Sequence, residues 1–449
     1  MASRNSYSIV AIGFMLFALF FGAGNLIFPV KLGQMAGENL FSANAGFIIT
    51  GVGLPVLGIL TLAFSGKGDI QAIASRVHPV YGLIFTMALY LTIGPFFAIP
   101  RTNTVSFEIG IKPFLGNNDG FLPLFIFTVL FFGVTLYFSL QSSKLVDIIG
   151  KILTPLLLIF IGVLIVTAIV NPMGQIQAPT ENFMSNSFFK GFQEGYLTMD
   201  AIAAFVFGII IINILKDNGA STKKVIMVSS VKVALIAGVL LAIIYTSLAY
   251  LGGISVEVLG HLDNGGAILA SASQYYFGSY GKVLLALIVI AACLTTSIGL
   301  ITSCAAYFNK LFPSVSYRRW AIIFTIFSAG VSNFGLSTLI EISVPVLSLL
   351  YPLAICLIAL TFLHPLFKGK KEVYQLSILL TFIVSLVDNL DAVGIKMQGV
   401  ENLFTAFVPL YSLGLGWVVP AVVGGIIGYI LSLFRKENPE SLLTERKGA

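Results

Sequence analysis

The chain has 449 residues, length enough for about three average soluble domains, but only 10% of them are charged. A water-soluble chain of this size carries about 110 charged side chains, whereas this one has 25 basic and 19 acidic residues. With 57% hydrophobic residues and a mean hydropathy of +0.98, the composition excludes a soluble globular protein, a nucleic-acid binder and a disordered chain. The bilayer is the expected solvent, and the formal charge of +6 has to be read by location.

A helix needs roughly 20 apolar residues to cross the hydrocarbon core. Twelve such segments are predicted, at residues 7–34, 42–65, 79–109, 121–140, 149–171, 190–214, 226–252, 280–310, 318–334, 337–365, 374–393 and 409–434. The first runs on through Pro29 without a small-residue cleavage site, so it reads as a span and not as a removed signal. Twelve crossings leave both termini on one side. On that side fall 19 of the 25 basic residues, among them Arg4, Lys67, Lys223, Lys224, Arg318, Arg319 and Arg435. Lys31, Arg101, Lys112, Lys190, Lys282 and Lys396 remain for the other. The asymmetry places both termini in the cytoplasm. The two longest linkers, 172–189 and 253–279, then lie outside, and no soluble domain is appended.

In the first segment, Gly22-Ala23-Gly24-Asn25 stands at mid-depth. Two glycines and an asparagine are poor material for a continuous helix where no water can replace lost backbone bonds, so a break is expected there. Asn25 would cap the second half. A break exposes carbonyls that suit a cation and N–H groups that suit a carboxylate. The plainer alternative makes the glycines helix–helix contacts and Asn25 an interhelical hydrogen bonder.

The third segment holds Gly94-Pro95, Pro100, Arg101 and Glu108 in its outer half. Arg101 and Glu108 are seven apart and share a helix face, which suits either an outer gate or a structural ion pair. In the sixth, Glu194, Gly195, Tyr196, Leu197, Thr198, Met199 and Asp200 precede an unbroken apolar run, and a second break is expected near Thr198. An acidic residue this deep is a functional candidate; the plainer reading pairs Asp200 with a neighbour and leaves Glu194 at headgroup level. The eighth carries Ala292, Thr295, Thr296 and Ser297. Hydroxyls beside a free carbonyl suit sodium, although such hydroxyls most often bond to their own helix.

Other chemistries lack their residues. Cys293, Cys304 and Cys356 show no metal or redox spacing, His78, His261 and His364 are scattered, and no phosphate-binding loop is present. No enzyme, ATP-driven pump or cofactor is expected.

The string Leu19-Phe20-Phe21-Gly22-Ala23-Gly24-Asn25-Leu26-Ile27-Phe28-Pro29, with Gly94-Pro95, Pro100-Arg101-Thr102 and the run from Glu194 to Asp200, resembles the branched-chain amino acid:cation symporters of bacteria over essentially the whole chain. The resemblance implies sodium-driven uptake of leucine, isoleucine and valine through the inner membrane. It also implies an all-α fold of five plus five inverted helices with discontinuous helices 1 and 6. On that pattern residues 1–171 and 190–365 are the repeats, 374–434 two added helices and 435–449 a cytoplasmic tail. The matching sodium ligands are the carbonyls of Ala18, Phe21 and Ala292 with the hydroxyls of Thr295 and Thr296; a one-residue shift to Cys293, Thr296 and Ser297 fits the same pattern. Sodium symporters of the neurotransmitter type place an arginine shortly after Gly-Asn, which this chain lacks, and Arg101 is a candidate replacement.

The expected substrate site sets the carboxylate on the N–H groups of Gly24 and Asn25, beside Gly22 and Ala23. The ammonium meets carbonyls near Phe20 and from Leu197 through Thr198 to Met199, next to Asp200. Phe96, Phe97, Met199 and Phe205 enclose the side chain. The rivals are proton coupling through Asp200 or Glu194 and, in another class, a passive channel. Partners are expected to be the amino acid, sodium and lipid, without nucleic acid or an obligatory protein.

Overall fold

The computed structural model describes residues 8–67, 69–116, 120–141, 144–392 and 398–434. Arg4, Lys396, Arg435 and the tail at 435–449 lie outside them. The described residues are helical with short connections, and no strand occurs among them. All twelve predicted ranges are mostly helical. Among the described residues, seven helices are long and apolar enough to cross a membrane, or eight counting a pair bent by 45° at Met199; Ile9–Phe20, Leu158–Val170 and Val418–Phe434 are apolar but shorter. The outward residues of these helices are apolar: Val239 is 56% exposed and Ile326 66%. Such surface is stable against lipid and not against water.

Two compact units form, Met1–Ile70 with Thr86–Tyr351, and Gln71–Phe85 with Pro352–Ala449. In the first, backbones approach closely at glycines. A Cβ on Gly33 would run into the Ala249 carbonyl, and one on Gly252 into that of Val30. These reciprocal contacts join the first segment to the seventh, Lys223–Leu259. Gly46 against Phe188 and Gly191 against Ala43 do the same for the second and sixth. With no hydrophobic drive between helices in lipid, such close van der Waals contact is what holds them together. In the second unit, Lys371–Ala392 packs on Val418–Phe434. There Gly424 and Gly428 meet the backbone at Leu376 and Glu372. Tyr374 gathers Arg76 (3.1 Å) and His364 (2.9 Å).

One expectation is corrected. The linker read at 253–279 is largely helical, because Lys223–Leu259 overruns it and a helix restarts at Gly265. Asn264 caps that restart by accepting from Ala267 N–H at 3.0 Å. Gly278, at φ +58°, turns the chain into the eighth segment. Polar and small residues concealed this helix from a hydropathy reading.

Candidate functional site

The first segment breaks where its glycines stand. Helix Ile9–Phe20 ends at Phe21, Gly22 is extended (φ −121°, ψ −158°), and Ala23–Ala36 begins the second half. Asn25 caps that half from its third residue, its Oδ1 accepting the Gly22 N–H at 3.1 Å. This turns the Gly22 N–H away from the carbonyl of Ala18, which would otherwise receive it in a continuous helix. The sixth segment breaks at Met199, whose φ of +64° ends the turn Gly195–Thr198 before helix Asp200–Asp217 starts. A left-handed residue that is not glycine costs about 1–2 kcal/mol and here redirects the chain.

The two breaks face one another. A Cβ on Gly24 would lie 3.5 Å from the Thr198 carbonyl, and one on Gly22 would lie 3.3 Å from Thr296 Oγ1 in the eighth segment. Asn25 Nδ2 donates to Asp200 Oδ2 at 2.6 Å, and Tyr245 OH donates to the same oxygen at 2.8 Å. Asn25 Nδ2 also reaches the Tyr245 oxygen. Asp200 and Asn25 are both buried. The plainer readings of Asn25 as an interhelical bonder and of Asp200 as paired with a neighbour therefore hold together with the breaks. Tyr245 was not among the expected site residues; a tyrosine well inside the seventh segment, whose hydroxyl must find a partner at that depth, is the available signal.

Around this junction lies a cavity of about 40 Å³. Leu19, Phe20, Gly22, Ala23, Gly24, Asn25, Ile93, Ala98, Arg101, Thr102, Thr198, Met199, Asp200, Ala203, Phe207, Thr296 and Leu300 line it. Of the four residues expected around a substrate side chain, Met199 alone is in this lining. Phe96 packs instead on Phe97 and Phe327 (ring centroids 6.3 and 5.3 Å), and Phe205 is fully buried. The apolar wall comes from Ile93, Ala98, Ala203, Phe207 and Leu300, because the bend at Gly94 (φ −98°, ψ −125°) rotates the third segment. Leu197 is not in the lining either, and its carbonyl, expected to accept an ammonium, accepts from Arg101 Nη1 at 2.6 Å. Glu194 also stands outside the lining.

Arg101 and Glu108 do not pair with one another. Arg101 is buried, its Nη2 donates to Ser343 Oγ at 3.0 Å, and its guanidinium stacks 4.9 Å from the Phe28 ring centroid. Glu108 pairs with Lys112 at 3.1 Å, one turn further on. They line a separate cavity of about 250 Å³ with Thr104, Phe107 and Asn333. A nearer i,i+4 cation outcompetes one seven residues away.

Of the expected sodium ligands, Thr296 lines the cavity, and Thr295 and Thr296 both donate to the Ala292 carbonyl, at 2.7 and 3.2 Å. Their lone pairs stay available while that carbonyl is engaged. The Ser297 hydroxyl is buried with no hydrogen-bond partner, Ala18 is half-buried, and the Phe21 ring stacks on Phe17 at 5.0 Å.

Broken helices that converge on a cavity holding a few polar side chains inside an apolar, multi-pass bundle are the architecture of a membrane transporter. Solved structures agree on the fold. The chain superposes on the inward-facing conformation of Mhp1 with a TM-score of 0.64 at 12% identity, over 95% of this chain and 92% of that one. The closed form of Mhp1, a nucleobase-cation-symport-1 family transporter with bromovinylhydantoin bound, gives 0.60 at 13% identity over 94% and 91%.

The profile of the family described as branched-chain amino acid transport protein matches residues 5–435, and the chain belongs to that family. It is 59% identical over 427 residues to the branched-chain amino acid permease BrnQ of Bacillus subtilis, covering 95% of this chain and 97% of that protein. The branched-chain amino acid transport system 2 carrier protein of Pseudomonas aeruginosa is 42% identical over 431 residues, covering 96% and 97%.

Proposed function

We propose that the protein is a secondary carrier that imports leucine, isoleucine and valine across a bacterial cytoplasmic membrane by sodium symport. It works by alternating access around the cavity between the two breaks. Its twelve crossings form two inverted repeats and two added helices, with both termini cytoplasmic. The substrate class follows from the family and from the names of relatives that match nearly end to end. Selectivity among the three side chains is weak, since one methylene is worth only about 1–3 kcal/mol in an apolar pocket.

One observation supports sodium above the rest: the Ala18 carbonyl has lost its helical donor next to the point where Gly22 packs on Thr296. A free carbonyl and neutral hydroxyls are hard oxygen ligands without fixed charge, suited to a monovalent cation that must leave again. The driving force is adequate. One charge moving through about 100 mV yields about 2.3 kcal/mol and a tenfold gradient about 1.4, enough for several-hundred-fold accumulation.

A second reading couples uptake to protons through Asp200, supported by its burial among neutral donors. Uptake of labelled leucine into proteoliposomes separates the two. Symport with sodium predicts saturable accumulation that vanishes without sodium and survives a protonophore when a potassium diffusion potential is imposed. Thr296→Ala should raise the sodium concentration for half-maximal uptake about tenfold or more, and Gly24→Leu should abolish transport. Sodium-free accumulation that collapses with the protonophore would favour Asp200, while simple equilibration would indicate a passive channel. Unchanged uptake in both variants would remove the site.

A further inference from the structure

Two buried ionisable side chains, one basic and one acidic, line the central cavity, and each is held by neutral partners alone. Arg101 is 2% exposed; it is bonded to the Leu197 carbonyl and Ser343 Oγ and stacked on Phe28, while its Nε has no partner. Asp200 is 3% exposed and receives Asn25 and Tyr245 on one oxygen, Oδ2, with the neutral Thr198 hydroxyl the further side-chain partner of the carboxylate. Lys112 pairs with Glu108 and Lys310 with Asp69, and none of these four residues lines this cavity. A buried charge with only neutral contacts is costly, and truncating one member of a properly paired set weakens binding strongly. Arg101 is tied to the carbonyl of Leu197 before the sixth-segment break, and Asp200 opens the helix after it.

We propose that Arg101 and Asp200 are the fixed charges that receive, respectively, the carboxylate and the ammonium of the carried amino acid. The assignment rests on the carrier function proposed above and names its specificity determinants. Because Arg101 occupies the Leu197 carbonyl, the ammonium needs another acceptor, and the Asp200 carboxylate supplies it. The carboxylate meets the unpartnered edge of the guanidinium beside the N–H groups that open the helix at Ala23. A zwitterion compensates both charges at once. An amine neutralises only Asp200 and a carboxylic acid only Arg101, so the site selects α-amino acids from among molecules with the same branched side chain.

The test is displacement of labelled leucine from the purified full-length carrier in nanodiscs by leucine, leucinol and 4-methylpentanoate. On the wild type both analogues should bind at least about a hundredfold more weakly than leucine. Arg101→Gln should weaken leucine about thirtyfold or more and leave leucinol within about twofold. Asp200→Asn should weaken leucine comparably and leave 4-methylpentanoate within about twofold. Should Arg101→Gln fail to fold, Arg101→Lys carries the test: leucine weakens several-fold, leucinol does not, and the preference for leucine persists. Equal losses for leucine and leucinol would make Arg101 a clamp on the Leu197 carbonyl and overturn the pairing, as would undiminished leucine binding. In either case wild-type leucine binding leaves the carrier function standing. A wild type that binds no branched-chain amino acid ends both.

Discussion

Asn25 shows how one side chain serves both structure and site. Its Oδ1 closes the N-terminus of a half-helix, and its Nδ2 reaches across to Asp200. Asparagine carries both donor and acceptor on one short stem, which a leucine of similar size cannot reproduce. Asn25→Leu is therefore expected to lose folded yield as well as uptake, read by size-exclusion profile and proteoliposome transport. Tyr245→Phe is the finer probe. It keeps the edge-on contact with Phe47 (5.4 Å, 80°) and removes only the hydroxyl donor. A stability loss of about 1–3 kcal/mol is expected in a thermal-shift or denaturant series; no change would mean that the Asp200 carboxylate does not depend on that bond. Asn25 and Asp200 were legible as candidates, since polar groups at mid-depth need a reason. Their union was not, for they lie 175 residues apart.

At the scale of elements, the breaks are local and the contacts they make are not. The Gly-Ala-Gly-Asn string announces its interruption because glycine and a capping asparagine weaken a helix wherever they occur. What the interruption faces depends on the eighth segment. With Gly22 extended, an alanine there is conformationally acceptable, and its Cβ would meet Thr296 Cγ2 and Oγ1 at 3.3 Å. Gly22→Ala is thus expected to impair sodium dependence several-fold. Adding Thr296→Ser, which deletes the crowding methyl, should recover part of the loss in a double-mutant cycle of uptake against sodium. Additive effects would show that the two segments are not in contact. Packing between the first and seventh segments makes a second prediction. Gly33→Leu and Gly252→Leu press a side chain into the opposing backbone, and each should cost about 1–3 kcal/mol or more, seen as lost monodisperse protein. By contrast, Gly299→Ala meets no atom within 4 Å and should behave as wild type.

For the whole molecule, the size of the central cavity sets a requirement on motion. About 40 Å³ accommodates two or three waters, whereas a cavity that takes up a benzene-sized molecule measures about 150 Å³. On the carrier function proposed above, a branched-chain amino acid enters only when the elements around the breaks separate, on one side of the membrane at a time. The chain offers a clean means of observing this, since Cys293, Cys304 and Cys356 are all buried and free. Against that quiet background, Ala203→Cys and Ile93→Cys, both on the cavity wall, should react with a small membrane-permeant thiol reagent at rates that change several-fold when sodium and leucine are added together. Rates indifferent to both solutes would contradict alternating access at this cavity.

Composition alone determined that this chain lives in lipid, because too few charges remain to hydrate its surface. Its glycines, prolines and deep polar residues marked where helices would break, because lipid leaves a lost backbone bond no replacement and such residues must then be tolerated for a reason. Only the tertiary structure decided what those places meet. It tied Asp200 to Asn25 and Tyr245, laid Arg101 on the Leu197 carbonyl instead of against Glu108, and took Phe96, Phe97 and Phe205 out of the cavity wall. Such outcomes follow from the bend of the third segment and the close approach of backbones at small residues, and a linear pattern of residue types carries neither the rotation of a helix nor the identity of its neighbour.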